Sequence, residues 1–220
     1  MSNKFDFAFF DFDGTIADTK EGIFNCLKYA FNKVGLPVPP DSELYKMIGP
    51  PLSEGFHDVF GFEGEDVDLM IEKYRERYRA GGMFECTPYE GIEDTLRQLK
   101  SNGVSLSVAS SKPLPFTTKL LEKFGLKGYF DYLSCPPVDA VHMSKTDIVN
   151  QALEMNGITD KSRAVMVGDR FYDIVGAKEA GIPVIAVLYG FGDEDEFKRY
   201  GADFIAETPE SIVRIISGEK

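Results

Sequence analysis

Short apolar runs that end in polar residues alternate with helical patterns along most of the chain. The first run, 5–10, predicts a buried strand, because buried strands are short, nearly continuous apolar segments bounded by turn residues. Further strands are predicted at 104–109, 129–135, 164–167, 183–188 and 203–206. Strands that alternate with helices are typical of a parallel sheet with right-handed crossovers. The pattern therefore predicts an α/β fold with a doubly wound parallel sheet.

Helical spacing dominates the region after the first strand, where no strand is predicted between Thr15 and Met83. A block of helices between strands of such a sheet indicates an inserted subdomain. We predict an all-helical cap at 18–83 and a core made of 1–17 and 84–220, with Asp41 and Ser42 capping one cap helix. The predicted helices are 20–33, 41–47, 52–60, 66–79, 89–101, 114–124, 145–155, 174–180, 194–200 and 209–217.

Charge and cysteine content narrow the possible partners. The 220 residues carry a formal net charge of -12, which disfavours nucleic acid and anionic membranes as partners. Three cysteines without a Cys-x-x-Cys pair indicate neither a disulfide framework nor a zinc site. With only two histidines, a metal site would rest on carboxylates, and carboxylates favour Mg²⁺ over zinc.

The N-terminus shows no signal segment, and no apolar run approaches the ~18 residues of a membrane span, so we expect a cytoplasmic protein.

Polar side chains follow three of the predicted strands, where ligands bind in open parallel sheets. They are Asp11 and Asp13 after the first strand, Ser110, Ser111 and Lys112 after the second, and Asp169 with Asp173 after a later one, while Lys145 begins a helix. Converging carboxylates bind a hard divalent cation. A lysine and hydroxyl groups nearby can hold a phosphoryl group. We therefore expect a site for a small phosphorylated metabolite.

Each of these residues also has an ordinary structural explanation. Asp11 and Asp13 could form a turn or helix-cap pair, because Asp is common before Gly in turns. Ser110 and Ser111 could cap the helix that follows, although a helix N-terminus also receives phosphate. Lys145 and Asp173 could be solvated helix-surface residues. What favours function is that all of them fall at strand ends in order.

The motifs resemble those of the haloacid dehalogenase superfamily, in its branch of helical-cap phosphatases similar to phosphoglycolate phosphatases and 5′-nucleotidases. Residues 11–19 match the first motif in full, and 168–173 fit the fourth. Ser110 stands at the second motif, with Ser111 where many relatives have Asn, and Lys145 fits the third. The resemblance covers nearly the whole chain.

The resemblance implies a role for each residue. Asp11 would be the nucleophile that forms an aspartyl-phosphate, and Asp13 would protonate the leaving oxygen and then activate water. Mg²⁺ would be held by Asp11, the main-chain carbonyl of Asp13, and Asp169, with Asp173 supporting the metal site. The phosphoryl oxygens would be bound by Ser110, Ser111 and Lys145. The cap would contact the leaving group.

The implied function is a Mg²⁺-dependent phosphomonoesterase that acts on phosphoglycolate, a nucleoside 5′-monophosphate or a sugar phosphate. Residues 189–192 resemble the nucleotidase-like members. One alternative is a sugar-phosphate phosphomutase of the same superfamily, which uses the same four motifs. A distant alternative is a non-catalytic module that resembles a phospho-receiver domain. The sequence does not indicate the oligomeric state.

Overall fold

The computed structural model describes residues 3–138 and 143–219. The chain divides into two compact units, Met1–Ala17 with Pro88–Lys220 and Asp18–Thr87. The strands of the described residues are β1 (Phe7–Phe10), β2 (Ala17–Asp18), β3 (Thr87–Pro88), β4 (Ser105–Ala109), β5 (Tyr132–Ser134), β6 (Ala164–Gly168), β7 (Val184–Val187) and β8 (Phe204–Ala206). The helices are α1 (Lys20–Lys33), α2 (Asp41–Leu44), α3 (Leu52–Phe60), α4 (Glu65–Arg79), α5 (Ile92–Ser101), α6 (Leu114–Lys123), α7 (Lys145–Met155), α8 (Phe171–Ala180), α9 (Glu194–Tyr200) and α10 (Pro209–Ser217).

The larger unit is built on a six-stranded sheet in the order β5-β4-β1-β6-β7-β8. All its pairings are parallel. The chain moves outward from β1 to β5 and then returns to place β6 on the other side of β1. Because crossovers between parallel strands are right-handed, this reversal places helices on both faces of the sheet. The predicted doubly wound α/β sheet is confirmed, and the reversal beside β1 marks the edge where ligands bind.

The central strands show no alternation of apolar and polar residues, because their side chains are buried. Met166 of β6 and Val184 of β7 are fully buried and pack in one cluster with residues of α7, α8 and α9. Strands covered on both faces read as continuous apolar runs. This burial fixes the central strands, and their carboxyl ends are therefore a rigid platform for side chains.

The smaller unit, Asp18–Thr87, contains α1 to α4. Its interior includes an aromatic group in which Phe31 contacts Phe60 and Phe62, and Phe56 contacts both of them as well. Glu85 accepts hydrogen bonds from Asn25 and Arg77 and so joins the end of the unit to α1 and α4. The helical character predicted for this region is confirmed.

Several predicted details are wrong. The two-residue strand β2 lies in the region where no strand was expected, and it pairs with β3, since so short a strand leaves no periodic pattern. Helix α2 begins at Asp41 after an N-cap at Pro40, so neither Asp41 nor Ser42 caps it. Helix α5 begins three residues later than predicted, after Gly91 in the left-handed conformation. No helix in the described ranges is both long and apolar enough to span a membrane.

Candidate active site

The chain turns sharply at the carboxyl end of β1. The amide of Ala17 donates to the carbonyl of Phe12 at 3.1 Å, and the amide of Gly14 donates to the carbonyl of Ala17 at 2.9 Å. Gly14 has a φ of 79°, a conformation that costs glycine little. With Phe12 fully buried, the turn holds Asp11 and Asp13 on either side of an anchored residue.

Asp11 lies beside Lys145. The amide of Asp11 donates to the carbonyl of Val167 at 2.9 Å, which places it next to the end of β6. The Nζ of Lys145 donates to Asp11 Oδ1 at 2.8 Å and to the carbonyl of Ala109 at 2.9 Å. It also lies 2.7 Å from Asp173 Oδ1. One ammonium group therefore joins the ends of β1 and β4 to the first turn of α8.

The position of Lys145 depends on two local features. It is the first residue of α7, whose start is fixed by a capping box between Ser144 and Asp147. A Cβ on Gly176 of α8 would lie 2.6 Å from Lys145 Cγ. The lysine stem thus crosses α8 at the one residue without a side chain, and this crossing directs Nζ into the site.

Asp169 and Asp173 are held by main-chain amides. Phe191 donates its amide to Asp169 Oδ2 at 2.8 Å. Asp173 Oδ2 accepts from the amides of Asp169 and Arg170, both at 3.1 Å. Asp173 can fold back because a Cβ on Gly168 would lie 2.2 Å from its Cγ. Among the described residues, the buried Oδ1 of Asp169 has no hydrogen-bond partner.

Oxygen atoms of Asp11, Asp169 and Asp173 all lie within 4.8 Å of one another. Burial raises the pKa of Asp169 well above its usual value, and the charges of Asp173 and Asp11 raise it further. Burial also raises the pKa of Asp173 to about 6, against the opposing effect of Lys145, and Asp11 adds to the rise. Burial alone would lower the pKa of Lys145, but Asp11 and Asp173 outweigh it and the pKa is raised. The carboxylates are therefore crowded beyond what one lysine balances.

Asp13 is not one of these three carboxylates and has a different cationic neighbour. Its Oδ1 lies 3.1 Å from the Nζ of Lys112, and the two side chains are 17% and 6% exposed. Lys112 follows β4, whereas Lys145 begins α7. The two aspartates of the first motif therefore lie in separate electrostatic surroundings.

Ser110 is buried at the end of β4, and its amide donates to the carbonyl of Ser134 at 3.1 Å. Its Oγ accepts from the amide of Lys112 at 3.3 Å. Ser111 is half-buried. Pro113 is the N-cap of α6, so the alternative that a serine side chain caps this helix is wrong. Both serines follow the carboxyl end of β4, as predicted.

The segment 189–192 lies against the turn after β1. The hydroxyl group of the half-buried Tyr189 donates to the carbonyl of Thr15 at 3.0 Å. A Cβ on Gly190 would lie 2.4 Å from both Asp169 Cβ and the carbonyl oxygen of Gly14. The backbone at Gly190 therefore lies between Gly14 of the first motif and Asp169 of the fourth. This position brings the Phe191 amide within reach of Asp169.

Three of these features were not predicted. Lys112 was noted at a strand end without a role, and the backbone contacts of Gly190 and Phe191 and the open surface of Gly176 were missed. The available signal was Gly190 and Gly192 directly after a strand, since glycine there often marks close backbone approach. The residue that the backbone approaches at these glycines could not be predicted, because it is distant in sequence and is brought close only by the fold.

We expect Gly190→Ala to lower the free energy of unfolding by about 1–3 kcal/mol, because the added methyl group must displace Asp169 or the turn at Gly14. Denaturant unfolding measures the change. Gly128→Ala is the matched control, because nothing lies within 4 Å of the added Cβ. Equal stabilities for the two variants would contradict the close approach.

The chain is similar to known proteins over most of its length. Residues 8–187 match the family model described as haloacid dehalogenase-like hydrolase. A 5′-nucleotidase of Pseudomonas aeruginosa is 33% identical, over 87% of this chain and 86% of that protein. The tyrosine-protein kinase PtkA of Mycobacterium tuberculosis is 34% identical, over 93% of this chain and 66% of that protein.

The crystal structure of a predicted phosphatase from Clostridium acetobutylicum superposes with a TM-score of 0.91 at 38% identity. The match covers 96% of this chain and 97% of that one. The predicted resemblance and the predicted enzyme class, a phosphatase, are confirmed. The hydrolase family leaves no support for the phospho-receiver alternative. By motifs, fold and extent of the match, the chain belongs to the haloacid dehalogenase-like hydrolase family.

Proposed function

We propose that this enzyme is a Mg²⁺-dependent phosphatase that hydrolyses a small phosphomonoester through a phosphorylated Asp11. The observation that carries the proposal is the separation of the two aspartates of the first motif. Asp11 lies in a carboxylate cluster with Lys145, whereas Asp13 lies apart with Lys112. Nucleophilic attack and proton transfer need two such groups in different surroundings.

The residues at the sheet edge fit a divalent cation. Three carboxylates, Asp11, Asp169 and Asp173, face the ammonium group of Lys145 there, which leaves two negative charges, the amount that one divalent ion balances. The buried Asp169 Oδ1 has no partner among the described residues, and an oxygen in that position is suited to a hard cation. Asp11 and Asp169 would hold Mg²⁺ together with the main-chain carbonyl of Asp13. Bound Mg²⁺ would offset the charge of the phosphoryl group.

Asp173 is suited to support the metal site. Its Oδ2 accepts two amide hydrogen bonds, and its Oδ1 lies within ion-pair distance of Lys145. Both oxygens are therefore already engaged. In this arrangement Asp173 fixes the amide of Asp169 and orients Lys145.

The contact between Lys145 and Asp11 supports the role of Asp11 as nucleophile, because the ammonium group would offset repulsion between the attacking carboxylate and the phosphoryl group. As the bond from Asp11 to phosphorus forms, the bond to the leaving oxygen breaks and Asp13 gives that oxygen its proton. Asp13 then takes a proton from a water molecule whose oxygen attacks phosphorus, the bond from phosphorus to Asp11 breaks, and inorganic phosphate leaves with the Asp11 carboxylate restored. Ser110, Ser111 and Lys145 would bind the phosphoryl oxygens meanwhile.

The substrate is a small phosphorylated metabolite, of which phosphoglycolate, nucleoside 5′-monophosphates and sugar phosphates are the candidates. Similarity to a 5′-nucleotidase supports testing nucleoside 5′-monophosphates first. Nucleic acid and membrane partners are not expected from a net charge of -12, and the cytoplasmic location stays a prediction.

Asp11→Asn should abolish turnover and leave the fold intact, because the amide is a poor nucleophile of similar shape. Release of inorganic phosphate from a panel of phosphometabolites with Mg²⁺ measures turnover, and circular dichroism checks the fold. Chromatography of the same reactions with the parent enzyme identifies the other products. Conversion of a sugar phosphate into its isomer without phosphate release would favour a mutase. Transfer of the phosphoryl group to an acceptor would favour a kinase. Substantial phosphate release by the variant would remove Asp11 from its role.

Mg²⁺ should stabilise the enzyme as well as activate it. At a concentration of about 100 times Kd, binding adds about 2.7 kcal/mol, which for a chain of this size raises Tm by roughly 5–11 °C. Asp169→Asn should eliminate this shift. It should also raise Tm of the metal-free protein at neutral pH, because it removes one of three crowded buried carboxylates. Calorimetry with and without a chelator measures both effects, and an unchanged Mg²⁺ shift in the variant would exclude Asp169 as a ligand.

Asp13→Asn should slow turnover by about 10²-fold or more with a basic leaving group, because the leaving oxygen then receives no proton from the enzyme. Phenyl phosphate and p-nitrophenyl phosphate are similar in shape, and only the first needs such help. The values of kcat/KM, which report the step that releases the leaving group, should show the larger loss with phenyl phosphate. Unchanged rates on both would assign proton transfer to another residue.

A further inference from the structure

Lys112 is a buried cation to which the motifs assign no role. Its chain position is fixed on both sides, because its amide donates to Ser110 Oγ and its carbonyl accepts from Thr117 Oγ1 at 3.2 Å. Its side chain is only 6% exposed. The ammonium lies 5.7 Å from the centre of the Phe12 ring, next to the turn that carries Asp13. The side chain is therefore directed at the proton-transfer residue.

Burying an ammonium group is costly unless a partner compensates it. The acidic partner of Lys112 is Asp13, with Nζ and Oδ1 3.1 Å apart. The other lysine of the site, Lys145, contacts Asp11 and Asp173 instead. At the carboxyl ends of the strands, each aspartate of the first motif therefore has its own lysine. One lysine shared by both aspartates would also have reduced the negative charge, so charge balance alone does not explain the second.

We propose that Lys112 is a positioning residue for Asp13: its ammonium holds the carboxyl group in the direction from which it exchanges a proton with the leaving oxygen. The inference rests on the proposed function, specifically on the role of Asp13. Proton transfer requires the acid within hydrogen-bond reach of the leaving oxygen, so a freely rotating Asp13 side chain would be productive in only part of its rotamers. Lys112 removes that freedom without contacting the reacting atoms.

Lys112→Met keeps the length and most of the volume of the side chain and removes the ammonium group. We expect it to lower kcat/KM for phenyl phosphate about tenfold and for p-nitrophenyl phosphate by less than about threefold. Lys112→Arg, which can still pair with Asp13, should recover part of the loss. Lys161→Met is the matched control, because Lys161 donates to the carbonyl of Ala180 away from the site.

The Asp13→Asn background separates positioning from direct substrate binding. If Lys112 acts through Asp13, adding Lys112→Met to Asp13→Asn should change kcat/KM for phenyl phosphate by less than about twofold, because the two losses are not additive. If Lys112 binds the substrate itself, the tenfold loss should persist in that background. Persistence would overturn the inference.

Three other outcomes are decisive. An equal loss on both aryl phosphates, without recovery by Lys112→Arg, would show a general structural role and overturn the inference. If Asp13→Asn discriminates between the two substrates and Lys112→Met does not, the proposed function stands and the role of Lys112 falls. If Asp13→Asn itself does not discriminate between the two substrates, the proposed role of Asp13 is wrong, and the inference about Lys112 falls with it. Thermal unfolding of each variant confirms that the compared proteins are folded.

Discussion

Mutual repulsion among the carboxylates at one edge of the sheet is the constraint on which the local structure depends. Asp11, Asp169 and Asp173 place oxygen atoms within 4.8 Å of one another in a buried region, where charge is costly. Main-chain amides, Lys145 and the start of α8 all converge on these oxygens. Even so, burial and the charges of Asp173 and Asp11 keep the pKa of Asp169 well above its usual value. On the proposed function, a bound divalent cation would reduce the repulsion among these carboxylates.

Close approach of the backbone makes this crowding possible. Gly168 leaves room for Asp173 to fold back onto the amides that precede α8, and Gly190 lets its own segment approach Asp169. A methyl group at either position would overlap the carboxylate side chain. These glycines therefore act on the site by allowing acceptors and donors to meet, although they carry no reactive group themselves.

The sequence was sufficient to predict the sheet, its order of elements and the acids at the strand ends. These features follow from local patterns: an apolar run before Asp11, another before Asp169, and helical spacing between them. The pairing of lysines with acids was not predictable, because Lys112 and Lys145 are far from their partners in sequence and either could have faced either aspartate. The two-residue strand β2 is too short to leave a pattern in the sequence. The role of Gly176, which leaves space for the Lys145 side chain, becomes visible only when α7 and α8 are packed together.

On the proposed function, separate lysines would allow the two aspartates to act without disturbing each other. If one ammonium served both Asp11 and Asp13, the binding of a phosphoryl group beside Lys145 would also change the position and charge of the proton donor. With Lys112 beside Asp13 and Lys145 beside Asp11, metal and phosphoryl contacts would form around Asp11 while Asp13 keeps its orientation. Preorganised groups that do not have to reorient during the reaction contribute most to its rate. The division of four acids between two lysines is thus as much a part of the site as the acids themselves.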